Sequence, residues 1–220
     1  MYFIDRAQAG RKLADELVPK YKKRNCTIMA LSNGGVVVGA EIARRLHCGI
    51  TMLLTEGLTL PRENDPVATI DQEGGFTYNK MFSVGELEDM TSEYRNYIEQ
   101  IKLEKLHEMN RLLGSGGLMR KELLRHHSVI LVSDGLMSGI SLDAAAEFLK
   151  PIAMKRLVVA TPIASVPAID RMHLLGDDIY CLSVLPNYIA TNHYYDDNDI
   201  PEGDDLRAMM RDISLSWKRA

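Results

Sequence analysis

A chain of 220 residues with 46% hydrophobic and 25% charged content can bury one substantial core, as a single large domain or a domain with an added flap. Its formal net charge of −4 offers no dominant positive field for nucleic acid, and no apolar run approaches the roughly 20 residues of a membrane helix. The N-terminal residues carry charge where a signal peptide needs an apolar segment, and Cys26, Cys48 and Cys181 lie far apart in apolar stretches, so buried thiols in a reducing cytoplasm are expected.

Residues 3–23 predict an opening helix, with Asp5 as its cap and Ala7, Leu13, Leu17 and Tyr21 on its apolar stripe. A short buried strand follows at 26–31, then the turn Ser32, Asn33, Gly34, Gly35 and a helix over 36–46. The next strand is expected at 47–55, and 61–66 reads as a loop. Two short runs around Gly74 and Gly75 predict a hairpin within 67–84. A long helix is expected over 86–113, with Tyr94, Tyr97, Ile101 and Leu106 inward and a glycine-rich stop at 114–117. That stop is not a P-loop, because no Gly-Lys-Ser/Thr follows. His126 and His127 read as surface residues ahead of a strand, since neighbours on a strand point to opposite faces and share a metal poorly.

The stretch 129–141, VILVSDGLMSGIS, organises the rest. Val129, Ile130, Leu131 and Val132 predict a buried parallel strand, and the text after Leu142 favours a helix that Pro151 ends. Between them lie Ser133, Asp134, Gly135, Leu136, Met137, Ser138, Gly139, Ile140 and Ser141. Free N–H groups at such a helix start, with serine hydroxyls and glycines beside them, suit an anion. Strands at 156–161 and 179–184 alternate with a helix at 165–175, which predicts an α/β fold: a doubly wound, mostly parallel sheet with helices on both faces. Both glycine turns then fall at strand carboxyl ends, where such sheets hold ligands. In the tail, 186–220, Tyr188, Tyr194 and Tyr195 either stack on a base or pack over the sheet edge. The acidic run Asp196, Asp197, Asp199 reads as loop and cap chemistry ahead of a helix over 206–217.

The 129–141 segment resembles the signature of the type I phosphoribosyltransferases, matching at Asp134, Leu136, Ser138, Gly139 and Ser141. The resemblance implies a single phosphoribosyltransferase-like domain over 1–220, with 61–117 as a flap or hood. It implies that residues 133–141 hold a ribose 5-phosphate, the acidic pair taking the ribose hydroxyls, and that Ser32, Asn33, Gly34 and Gly35 meet pyrophosphate. It also implies Mg²⁺, held through substrate and Asp134, and a homodimer. Three positions depart from the pattern: Ser133 replaces the first acid, Asn33 an arginine, and Glu56 with Gly57 an Arg-Lys pair. Arg62 and Lys80 are the candidate replacement cations, and no general base can be named.

Two functions therefore stand side by side. One is transfer of phosphoribosyl from phosphoribosyl pyrophosphate to a base, in which neutralising the leaving group is the main task. The other is a non-catalytic binder of a ribose phosphate or nucleotide. Neither requires nucleic acid or membrane, and the acceptor base is not legible.

Overall fold

The computed structural model describes residues 2–63, 65–113 and 124–216. Helix α1 (Arg6–Tyr21) starts at Asp5, whose carboxylate accepts from the Gln8 amide at 2.6 Å. Its buried stripe is Arg6, Ala9, Leu13, Leu17 and Tyr21. Ala7 is only half-buried, because helical spacing counted back from Leu13 reaches 9 and 6 instead. Strand β1 (Cys26–Ala30) is fully buried and leads into α2 (Asn33–Leu46). That helix begins three residues earlier than its sequence suggests, since Ser32 caps it by accepting from the Gly35 amide at 2.8 Å.

The strand expected over 47–55 is two strands in two sheets. His47 is the left-handed cap of α2 (φ 60°), and β2 (Gly49–Met52) pairs parallel with β1. The chain then crosses over at Leu54, whose carbonyl accepts from the Gln72 amide and whose amide donates to the Gln72 side-chain oxygen, and β3 (Thr55–Leu58) joins a separate antiparallel sheet. With β4 (Ala68–Asp71) and β5 (Phe76–Tyr78) it makes a three-stranded sheet in the order β3-β4-β5. The predicted hairpin is thus present. The Asp71 carboxylate forms its turn by accepting from the Glu73 and Gly75 amides, and Gly74 takes φ 88°.

The long helix is also divided, into α3 (Val84–Glu93) and α4 (Arg95–Leu113), at Tyr94 (φ −105°, ψ 20°). A Ser83–Glu86 capping box starts α3, which buries nothing, whereas α4 lays Ile98 and Met109 on the small sheet. The second part supplies the fully buried side chains and the first only the partly buried Met90, so the two halves need not share an axis. Tyr97, expected inward, is exposed, and Ile98 takes that place. The glycine stop at 114–117 lies outside the described residues.

After it come β6 (Ser128–Val132), α5 (Ile140–Leu149), β7 (Arg156–Ser165), α6 (Val166–Leu175) and β8 (Asp178–Leu185). A 3₁₀ turn (Thr191–Tyr194) and α7 (Gly203–Ser216) complete the described chain. The main sheet has the order β2-β1-β6-β7-β8, parallel throughout. Ile28, Ala30, Ile130 and Val132 face α1, α2 and α7, while Met29, Val129 and Leu131 face α5 and α6. This two-sided burial explains why these strands read as continuous apolar runs. β7 is longer than its apolar run because Ile163, Ala164 and Ser165 continue pairing with β8. Strand order reverses between β1 and β6, which places the Ser32 turn and the Asp134 loop in one crevice at the strand carboxyl ends. No helix among the described residues is long and apolar enough to cross a membrane.

Candidate functional site

The crevice has a filled half and an open half. In the filled half Asp134 is 7% exposed, and both its carboxylate oxygens are engaged. Oδ2 accepts from Arg6 Nε at 2.7 Å and Oδ1 from Ser32 Oγ at 2.7 Å. Arg6, 2% exposed, also donates to Asn198 Oδ1 at 3.1 Å and to Asn192 Oδ1 at 2.5 Å. Its guanidinium carbon lies 4.4 Å from the centre of the Tyr195 ring. Each nitrogen of this cation is engaged by the protein.

The glycines of the filled half serve this packing. A Cβ on Gly34 would overlap the Asp134 carboxylate and Arg6 Nε, and a Cβ on Gly135 would overlap the Tyr188 hydroxyl and Thr191. Ser133 is buried, with its hydroxyl donating to the Gly135 carbonyl at 2.9 Å. Tyr195 donates to the Asp134 carbonyl at 2.6 Å, and Tyr188 pairs with Thr191 Oγ1 at 2.7 Å. Burial, with the Asp134 charge adding to it, pushes the Tyr188 hydroxyl up to about 12 and raises Tyr195 well above an ordinary tyrosine. Both hydroxyls therefore keep their protons at neutral pH. Of the two roles open to the tail tyrosines, Tyr194 and Tyr195 take the packing one: both are buried, and Phe3 bridges to Tyr195.

The open half is the loop before α5. Its first residues are fastened to β7: Leu136 donates to Ile163 and accepts from Ser165, whose hydroxyl also donates to the Met137 carbonyl at 2.6 Å. Beyond that point the N–H groups of Met137, Ser138, Gly139, Ile140, Ser141 and Leu142 meet no acceptor among the described residues. Gly139 stands at the cap position with no side chain to satisfy them. Ser138 and Ser141 are half-buried beside these amides, and Met137 is exposed. The result is a cluster of unmatched donors at the positive end of a ten-residue helix.

The expected cations part company. Lys80 reaches the first turn of α5, 3.4 Å from Asp143 Oδ1. Arg62 sits exposed in the loop ahead of β4 with φ 77°, beside Tyr94. Glu56 lies in β3 and pairs with Lys105 of α4 at 3.6 Å, so its charge is directed at the flap helix. Mg²⁺ held through Asp134 does not fit these residues, because a guanidinium already occupies that carboxylate. Among the described residues no group of three or more His, Cys, Asp or Glu side chains could hold a metal ion.

Sequence reasoning missed Arg6, Asn192, Asn198 and Arg171. Arg6 left a signal: it is a charged residue in register with Ala9, Leu13 and Leu17 on a core stripe, which demands a buried partner. The asparagines left none, since the tail brings them in across more than 180 residues.

No family profile matches the chain. Two curated proteins from Mycobacterium tuberculosis strains, carrying a provisional phosphoribosyl transferase name, are 24% identical over 195 residues. The match covers 88% of this chain but 43% of the relatives, so the chain spans less than half their length. The crystal structure of a protein from Thermus thermophilus, TT1426, is similar over 99% of both chains, with 25% identity and a TM-score of 0.71. A hypoxanthine phosphoribosyltransferase from Staphylococcus aureus, 11% identical, aligns over 85% of this chain and 78% of its own with a TM-score of 0.50, a likeness of fold alone.

Proposed function

We propose that this chain is a divergent protein of the type I phosphoribosyltransferase kind, which binds the phosphate of a ribose phosphate or nucleotide and does not carry out transfer. The observation that carries this reading is the row of unmatched N–H groups at 137–142 with the Ser138 and Ser141 hydroxyls beside it. A phosphate dianion there would gain several charge-assisted hydrogen bonds together with the helix dipole.

Transfer asks more of the site. It needs a holder for the ribose hydroxyls and positive charge for departing pyrophosphate. Here Asp134 is bonded to Arg6 and Ser32, Ser133 is folded onto its own loop, and Asn33 brings no charge. Arg6, beside Gly34 of the Ser32 turn, has each of its nitrogens committed.

Calorimetry with ribose 5-phosphate, a nucleoside monophosphate and phosphoribosyl pyrophosphate, each with and without Mg²⁺, tests the reading. The monophosphates should bind without Mg²⁺, and Ser138→Ala with Ser141→Ala should weaken them by about 1–3 kcal/mol, the range for lost donors to a charged group. Unchanged affinity in that double variant would remove the loop from the site. Mg²⁺-dependent release of pyrophosphate in the presence of a base would replace binding by transfer.

A further inference from the structure

The first turn of α5 borders a cavity of about 80 Å³, lined among others by Lys80 and Met81 from the flap, Gly139, Ile140 and Asp143 from the loop and helix, and Arg171 from α6. That volume equals two to three water molecules at roughly 30 Å³ each, which is room for one tetrahedral oxyanion. Its charges are arranged unusually. The Asp143 side chain is 4% exposed, and one of its oxygens, Oδ1, receives both Arg171 Nη2 and Lys80 Nζ. Arg171 is held closely, but the Lys80 contact is 3.4 Å and that side chain is 52% exposed. Arg171 Nε is buried and meets no acceptor among the described residues. The arginine's aliphatic stem crosses Gly139 where a Cβ would stand, so this glycine makes room for a cation.

Two cations share one carboxylate beside six unmatched N–H groups, and a buried N–H of the arginine remains over. This is more positive character than Asp143 can neutralise. An acid in the first turn of a helix also does for the dipole what a bound anion would do. We propose that Lys80 and Arg171 are ligands of the bound phosphate and that Asp143 is its internal stand-in, from which the phosphate takes Lys80. The proposal rests on the reading of 137–141 as a phosphate loop. It adds that the charge missing from the glycine turns enters from the flap and from α6, and that ligand binding ties the small sheet to the main one through Lys80.

The test measures ribose 5-phosphate affinity by calorimetry for the full chain and for Lys80→Met, Asp143→Asn and the Ser138→Ala/Ser141→Ala pair. Lys80→Met should weaken binding about tenfold and flatten its salt dependence, as loss of a charge-assisted contact requires. Asp143→Asn keeps the shape but removes the competing charge, and should tighten binding by roughly threefold or more. Should Asp143→Asn fail to fold, Lys80→Met decides alone, because the lysine is half exposed. Affinities within about twofold of the parent in both charge variants, with the serine pair still weakened, would overturn this assignment and leave the loop reading standing. Weakening in Lys80→Met with none in the serine pair would do the reverse. No binding by the parent chain would overturn both.

Discussion

Arg6→Met is the sharpest probe of the filled half of the crevice. The substitution keeps much of the stem's volume and deletes the charge with its three bonds, to Asp134 at 2.7 Å, Asn198 at 3.1 Å and Asn192 at 2.5 Å. Asp134, 7% exposed, would then stand as a buried carboxylate supported at its oxygens by the Ser32 hydroxyl alone. Breaking a buried pair in this way costs about 3–5 kcal/mol, because the remaining charge is left uncompensated. Against a typical domain stability of about 5–15 kcal/mol that is a large fraction, and urea denaturation would register it as a fall in midpoint at constant slope. A thermodynamic cycle makes the argument specific. Asp134→Asn alone strands the arginine, whereas the double variant removes both charges, so it should cost less than the sum of the singles by about 1–3 kcal/mol. A cost below about 1 kcal/mol for Arg6→Met, or strict additivity in the double variant, would refute the view of Arg6 and Asp134 as one locked pair.

Gly139→Ala should destabilise by about 1–3 kcal/mol, since its Cβ would overlap the Arg171 stem; a thermal midpoint equal to the parent's would contradict the packing described. At the far end of the sheet Asp178 accepts from Lys20 at 2.5 Å, Arg156 at 2.8 Å and the Tyr21 hydroxyl. Burial pushes its carboxyl up, but these three donors outweigh burial and hold it well below the usual carboxylate range. A depressed folded value means that the stabilisation is fully present above the unfolded value near 3.8 and is lost as pH falls below it. Urea midpoints between about pH 6 and pH 3 should therefore fall more steeply for the parent than for Asp178→Asn, and parallel curves would exclude the linkage.

The alternation of strands and helices was legible because β1, β6 and β7 are buried on both faces and several helices carry a cap or stop close by. Ser32 and Asp5 both hold the capping positions expected of their types. What misled was apolar continuity. The run HCGITMLLT looks like one strand, yet Leu53 and Leu54 are apolar because they span two cores and not because they extend one ladder. The helix break at Tyr94 was hidden for a similar reason, since neither Gly nor Pro marks it. In the site, residue types at Asp134, Ser138 and Ser141 were readable as polar groups at a strand end. The availability of Asp134 was not, because it depends on Arg6 and two asparagines brought in by distant parts of the chain.

Leu136 has a consequence of its own. By exchanging backbone bonds with Ile163 and Ser165 it makes the start of the loop a short extra rung of the β6–β7 ladder. Ser165 extends that splint, since its hydroxyl both donates to Met137 and caps α6 at the Ala168 amide. On the proposed reading an oxyanion would meet a loop already set in shape, and little of its binding free energy would go into ordering backbone. The same rigidity links α6, and Arg171 on it, to the loop as one solid piece, leaving Lys80 as the part free to travel.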